Sequence, residues 1–478
     1  MSVPSFEFLG FAALVALAIN ISEKPAWRRF ILFLANVAFV LSLSHDPKDL
    51  APFFMFLVVG FIAIKVVERI KGQGVYTLML VLVLLLFCWL KQYAFVPHGL
   101  FLPYVYLTVG LSYVFFRVLH LVIEAHDDNL PGRLDPYAYF TYTMNFACLI
   151  SGPIQLYRDY LETESLDPLA IDLPAIGSAL GRIVLGFFKV TVLSAPLAGA
   201  QDRIVAIVLG HDATLAPILC VVLLLLLFPT YVYLNFSGYT DVVVGVARLL
   251  RLRLPENFDK PFAATGFMDF WSRWHMSLSN WIREYVYSPL LIALMRRFPA
   301  RRVEPYLAVF SYFVTFFLVG VWHGQSSEFV VFGVLNGLGV SVNKLYQDLM
   351  IRRLGRPAYR KLNAHPIYRS ISGGFTWCFF GFALMWFWNS WARLGAIVSA
   401  LGPTTIVAGI LVTILCFAAG RWAVVNIGAA LRRLEGMAVV TEAMPLARTV
   451  VLSTLAFAVI AVAVILNAPA PHIVYKGF

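Results

Sequence analysis

Charge is scarce in this chain. Asp, Glu, Lys and Arg make up 13% of its 478 residues, where a soluble domain carries about twice that share. No polar stretch is long enough to form a separate soluble domain of ordinary size. Cysteine is sparse too. Cys88, Cys148, Cys220, Cys378 and Cys416 are odd in number, form no CxxC, and lie in apolar or near-apolar runs. They read as small buried hydrophobes, which argues against thiolate metal ligation. HExxH, paired carboxylates at helical spacing and Cys/His clusters are missing, so no metal centre is expected. There is no GxxxxGK(S/T) phosphate loop and no GxSxG elbow, which argues against nucleotide hydrolysis and a serine nucleophile. No internal repeat of the kind that marks many transporters is visible.

What the chain has instead is hydrocarbon: 60% of its residues are hydrophobic. Apolar stretches of ~17–25 residues recur from end to end, each long enough to cross a bilayer core. The expectation is an all-α polytopic membrane protein with about 11 or 12 spans, plus one or two segments that enter without crossing. The first span, Phe6 to Ile21, has no basic region before it and no small-residue cleavage site after it, and reads as retained. The net charge of +11 gathers in short loops, as the positive-inside rule expects, and does not call for nucleic acid. Lys24, Arg28 and Arg29, then Lys65, Arg69 and Lys71, mark cytoplasmic loops and put the N-terminus outside. Arg296, Arg297, Arg301 and Arg302 mark another. Two more hold Arg352, Arg353, Arg356, Arg360, Lys361 and Arg369, and Arg421, Arg432 and Arg433. A last span from Val450 to Leu466 then leaves the tail Asn467 to Phe478 outside. The middle is harder to place: Arg158 to Asp172 is acidic, Lys189 interrupts a span, and Tyr233 to Arg253 is too short and polar for a simple crossing.

Two Trp-His pairs break this apolar background, Trp274-His275 and Trp322-His323. Imidazole is suited to moving protons near neutral pH, and ionisable groups at membrane depth are costly. On a helix over 270–285, Phe270, Trp271, Trp274, Leu278, Trp281, Ile282 and Tyr285 share one face. Ser272, Arg273, Ser279, Asn280 and Arg283 take the other, with His275 at the border. That pattern predicts an interfacial or protein-buried helix. The next span, Pro305 to Trp322, starts at the four-arginine loop and carries His323 toward the outer half of the membrane. Gly320 and Gly324 flank the pair, and Gly333 and Gly337 form a small-xxx-small face for tight packing. His323 reads as a general base or as a cap at a helix end, and His275 as a chemical or a structural group. Arg117, His120, Glu124 and Asp241 could form a polar network or simply lock helices together.

At this point a family resemblance is visible. PENFDKPFAATGFMDFWSRWHMSLSNWIREYVYSPL (Pro255 to Leu290) and GVWHGQSSEFVVFGVLNG (Gly320 to Gly337) resemble the two signature blocks of the membrane-bound O-acyltransferases. NFSGYTDVVVGVARLL (Asn235 to Leu250) and NFACLISGPIQ (Asn145 to Gln155) resemble two further blocks. The chain is most similar to the branch that acylates bacterial polysaccharides, which includes alginate O-acetylation and teichoic-acid D-alanylation proteins. Asn235, Ser272 and Glu284 depart from the residues common there, and the glycines that often follow the Pro-Leu pair are missing. The resemblance implies one membrane domain over 1–478 built around a central funnel or tunnel: N-terminal spans over 1–130, a catalytic core over 131–350 and C-terminal spans over 351–478. It implies catalytic roles for His323 and His275. Trp274, Trp322, Arg273, Ser277, Arg283, Tyr285, Asp241, Tyr239, Asn257 and Gln155, all within the blocks, are the candidates for lining the tunnel or binding substrate.

The same resemblance implies an O-acyltransferase of the bacterial inner membrane. Acetyl is the favoured acyl group, passed from a cytoplasmic thioester to a hydroxyl of an extracytoplasmic polysaccharide or other envelope glycan. The donor, acetyl-CoA or a phosphopantetheine carrier protein, is a substrate, and no cofactor is expected to stay bound. Expected partners are the lipid bilayer, the donor or carrier on the cytoplasmic face, and an extracytoplasmic acyltransferase partner. One alternative is D-alanyl transfer to a teichoic-acid-like acceptor. Another, from a different class, is a transporter or flippase of envelope precursors with the histidines as proton relays. A noncatalytic scaffold would leave both Trp-His pairs unexplained.

Overall fold

In the computed structural model the described residues are 3–132, 134–210, 214–435, 447, 449–451 and 453–461. They are overwhelmingly helical. Nineteen α-helices run in chain order over the residues up to Glu435. The first eight are α1 (Phe6–Ile19), α2 (Pro25–Leu41), α3 (Pro47–Arg69), α4 (Gln73–Leu90), α5 (Leu111–His126), α6 (Pro136–Thr143), α7 (Tyr157–Leu161) and α8 (Leu173–Phe187). Then come α9 (Ala195–Leu209), α10 (Pro217–Leu249), α11 (Phe267–Trp271), α12 (Met276–Ile282), α13 (Ser288–Arg297), α14 (Glu304–Trp322) and α15 (Ser327–Leu354). The last are α16 (Arg356–Ala364), α17 (Pro366–Trp388), α18 (Trp391–Leu401) and α19 (Pro403–Glu435). The starts are written locally. Ser5, Asp135 and Asp172 each accept from the backbone N–H three residues on, satisfying a donor that the first helical turn cannot pair internally.

Among the described residues, eight helices are long and apolar enough to cross a membrane: Pro47–Arg69, Gln73–Leu90, Leu173–Leu209, Pro217–Leu249, Glu304–Trp322, Ser327–Leu354, Pro366–Trp388 and Pro403–Ala423. Phe6–Ile19 and Trp391–Leu401 are apolar but shorter. This is an all-α polytopic membrane architecture. The expected first span ends two residues early, and the proposed last span, Val450 to Leu466, is helical where described, with 462–466 and the tail outside the described residues.

The described residues form two compact units: those within 1–191, 235–256 and 459–461 in one, those within 192–234 and 257–458 in the other. In the first, the polar stretch that did not look like a simple crossing is the second half of the single helix α10. Its one acidic side chain is matched by two cations on the helical segment 173–194. Asp241 accepts from Arg182 at 2.9 Å and Lys189 at 2.6 Å, and Arg182 also pairs with Glu256. Lys189 lies where the helix widens into a π-turn, Phe188–Ser194. Gly186 and Gly238 let the two backbones meet: a Cβ on Gly186 would lie 2.5 Å from the Gly238 carbonyl oxygen. Arg117 and His120 are both buried. Arg117 donates to the carbonyls of Thr143 and Cys148 at 2.8 and 2.9 Å. The His120 Nε2 accepts from the Tyr157 N–H, and its Nδ1–H donates to the Phe116 carbonyl. These groups satisfy the irregular backbone between α6 and α7, which otherwise would bury unpaired carbonyls. The locking role describes them.

In the second unit, α14 and α15 pack backbone against backbone. A Cβ on Gly320 would stand 2.0 Å from the Gly333 Cα, and one on Gly337 would stand 2.8 Å from the Phe313 carbonyl oxygen. The small residues predicted as a packing face are the contact itself. Lipid supplies little hydrophobic drive between spans, so close van der Waals contact of this kind carries the association.

Candidate active site

His323 caps the C-terminal end of α14, in the short connection to α15. It is buried, and its Nδ1 lies 2.6 Å from the Val319 carbonyl oxygen one turn back. A carbonyl can only accept, so Nδ1 carries the hydrogen and Nε2 carries the lone pair. The ring is walled by Trp322, Phe332 and Phe387, with centroids 4.8, 5.7 and 5.5 Å away. Burial among these rings penalises the charged form and pulls the imidazole down from its ordinary value of 6.5 to about 4.

His275 belongs to the same unit and is likewise buried. Burial, reinforced by the neighbouring His323, holds it well below the ordinary imidazole value. His275 thus lies within electrostatic reach of His323. The backbone around His275 departs from the expected single helix over 270–285. The segment is broken into α11 and α12, with His275 between them in the left-handed region at φ 45° and ψ 51°. The cause is a non-local pairing. Asp259 N–H donates to the Arg273 carbonyl and Met276 N–H to the Asn257 carbonyl, both at 3.0 Å, and Phe258 and Trp274 form an isolated antiparallel bridge. A non-glycine residue held at positive φ stores strain, and such strain concentrates at functional sites. The predicted sidedness survives the break. Phe270, Trp271, Trp274, Leu278, Trp281 and Ile282 are buried, and Ser272, Asn280 and Arg283 are exposed.

The other candidate residues separate into three groups. Asn257, fully buried, clamps the turn: its side-chain oxygen accepts from the Ser277 hydroxyl at 2.6 Å and from the Ser277 N–H at 3.3 Å. Trp274 fills an aromatic cluster with Phe258, Phe270 and Phe380, while Trp322 stands edge-on to His323. These groups shape the walls around the histidines. Arg273 is tied to Asp269 and Asp259, and Arg283 donates to Asn280 on an exposed surface. Tyr285 is half-buried against Trp281. The third group belongs to the other unit. There Tyr239 accepts from the Ser151 N–H, Gln155 donates to the Arg253 carbonyl, and Asp241 holds Arg182 and Lys189. Phe332 and Phe387, which wall His323, were not among the candidates. An aromatic residue in an apolar span carries no signal that separates a site wall from ordinary core. Among the described residues no group of three or more His, Cys, Asp or Glu could hold a metal ion.

Multiple helices long and apolar enough to cross a membrane, with two buried histidines in one unit, define a polytopic membrane protein with a buried polar site. Residues 30–385 match the sequence profile of MBOAT, and the chain belongs to this membrane-bound O-acyltransferase family. It is an O-acyltransferase, and the reading as a transporter falls away. Among its relatives is the teichoic acid D-alanyltransferase of Bacillus subtilis, 26% identical over 352 residues that cover 70% of this chain and 85% of that protein. The probable alginate O-acetylase AlgI of Pseudomonas aeruginosa is 26% identical over 51% of this chain and 44% of its own length. The peptidoglycan O-acetyltransferase of Helicobacter pylori is 30% identical over 44% of this chain and 37% of its own length.

Proposed function

We propose that the protein transfers an acyl group, with acetyl favoured, from a cytoplasmic thioester to a hydroxyl of an extracytoplasmic envelope glycan in the bacterial inner membrane. The observation that carries this reading is the His323 ring, whose Nδ1–H is given to the Val319 carbonyl, so that the basic lone pair is on Nε2. The acceptor oxygen attacks the thioester carbonyl while its proton passes to Nε2. The C–S bond then breaks, and the thiolate takes the proton back from the imidazolium. The products are an ester and a free thiol. His275 is placed to orient the thioester or to stabilise the charge that develops on the carbonyl oxygen. Exclusion of bulk water by the aromatic walls limits hydrolysis of the donor. The Arg296, Arg297, Arg301 and Arg302 loop at the start of α14 marks the cytoplasmic side. The helix rises about 28 Å from there, which supports a position for His323 on the acceptor side; the basic loops after the first and third spans support an N-terminus outside.

Acetyl is favoured because the rings around His323 carry no negative charge to meet the ammonium of a D-alanyl group. The match to the D-alanyltransferase, which extends over 85% of that relative, favours D-alanyl as the second reading. The assay that separates them supplies the purified protein with isotopically labelled acetyl-CoA or with D-alanyl-loaded carrier protein, together with an envelope glycan. Mild alkali then releases the ester-linked label. Labelled acetate supports the first reading, labelled D-alanine the second, and no ester with either donor overturns both.

A base held neutral by burial also sets a pH dependence. The depressed His323 value predicts a kcat/KM that stays flat from about pH 8 down to about pH 5, where an ordinary histidine base would already have lost activity below about pH 6.5. An acidic limb centred near the ordinary imidazole value would show that His323 is solvated during turnover.

A further inference from the structure

A groove of about 620 Å³ lies between α15 and α17, with neither Trp-His pair in its lining, and Phe267, Gly339, Val342, Tyr346, Tyr368 and Phe375 line it. A volume of that order is typical of ligand sites. Both helices are long and apolar enough to span the membrane, and Val342 and Phe375 are exposed, so the mouth of the groove faces acyl chains. One end is polar. The Tyr346 and Tyr368 hydroxyls lie 3.0 Å apart, and Tyr359 of α16 also hydrogen-bonds Tyr368.

That bond ties the groove to a dense cationic segment. Arg352 and Arg353 end α15, Arg356, Arg360 and Lys361 lie on α16, and Arg369 follows Tyr368; all six are exposed. No Asp or Glu occurs anywhere between Asp348 and Glu435, so nothing in this stretch neutralises them. An apolar slot that ends in hydroxyl donors beside uncompensated arginines matches the two halves of an anionic lipid. A phosphorylated thioester donor shares the negative end, but its polar arm would find apolar walls here.

We propose that this groove binds an anionic phospholipid from the leaflet that faces the arginine-rich segment. One acyl chain lies along Val342 and Phe375, and the phosphate meets the tyrosine hydroxyls and the α16 cations. The Asn343 side-chain oxygen, also in the groove wall, accepts from the Met268 N–H of α11 at 3.1 Å, so the bound lipid would touch the segment that leads into Trp274-His275.

The test uses the full chain in nanodiscs containing spin-labelled phosphatidylglycerol or spin-labelled phosphatidylcholine and reads the immobilised fraction of label. The expected result is preference for phosphatidylglycerol of at least about 10-fold, since surface Lys and Arg side chains attract anionic headgroups. The combined variant Arg356→Gln, Arg360→Gln and Lys361→Gln alters only exposed side chains and should erase that preference. Val342→Trp, which fills the slot from its exposed side, should release the immobilised label while the melting temperature holds. Equal retention of both lipids, or preference that survives the triple variant, overturns the proposal. Displacement of the label by coenzyme A at equal occupancy also overturns it and assigns the groove to the donor. No acyl transfer is measured, so the result is independent of whether the proposed reaction is correct.

Discussion

His323→Ala is expected to lower kcat by about 10²- to 10⁴-fold, the range that a positioned general base contributes. Alanine also removes the hydrogen bond to Val319 and opens space among Trp322, Phe332 and Phe387, so it cannot separate chemistry from packing. His323→Asn does. The Asn side-chain amide can donate to the Val319 carbonyl as Nδ1–H does, but it carries no basic nitrogen at the Nε2 position. The two variants should therefore be similarly inactive, with the Asn variant melting close to the wild type. Binding of the donor should change little in the Asn variant, because the proton transfer is needed only as the acceptor attacks. An Asn variant that keeps more than about a tenth of wild-type kcat would remove His323 from the role of base, since even the low end of the expected contribution is larger. If Asn and wild type differ only in KM, the ring instead serves to hold substrate.

Much of this arrangement is legible in the sequence, and the parts that are not share a physical cause. The small residues Gly333 and Gly337 announce a close helix contact because only a missing Cβ permits one. The burial of Trp271, Trp274 and Trp281 follows from helical periodicity, which depends on local spacing alone. The break at His275 is different. It arises because Asn257 and Asp259 bond to the backbone of Met276 and Arg273, and a pairing between segments leaves no periodic trace. The same holds for Arg117 and His120. Their intervals on α5 mark them as neighbours, yet their partners are backbone groups of an irregular segment. The stretch after Tyr233 looked too polar to cross because the sequence does not display Arg182 and Lys189 waiting opposite Asp241. His323 stands out in the sequence as a residue type in an unusual place. The tautomer that the proposed base role requires depends on a carbonyl 2.6 Å away, and only the fold supplies that distance.

The second large effect is structural and reaches the same histidine through the packing of α14 on α15. Gly320→Val is expected to cost about 3 kcal/mol or more of stability, at or beyond the upper end of ordinary overpacking. A Cβ at position 320 would stand 2.0 Å from the Gly333 Cα and 2.4 Å from its backbone nitrogen. Both are main-chain atoms, so no side-chain rotation can relieve the clash and the helices must separate. Separation also removes the fit around Gly333, whose own missing Cβ leaves room for the Phe317 carbonyl oxygen. Phe332 adjoins Gly333 and walls the His323 ring, so the fraction that still folds should have lost most of its turnover as well. Cys148, Cys220 and Cys378 are buried while Cys416 is exposed and Cys88 half-buried, so a thiol-reactive dye reports melting once Cys88 and Cys416 are replaced by Ser in every variant compared. The expected observation is a large downward shift in the dye transition together with loss of activity at temperatures below it. Gly177→Ala is the matched control: nothing lies within 4 Å of its Cβ position, so a helical glycine is replaced there without overlap. If Gly320→Val melts together with that control, the close approach of α14 and α15 is not what holds His323 in place.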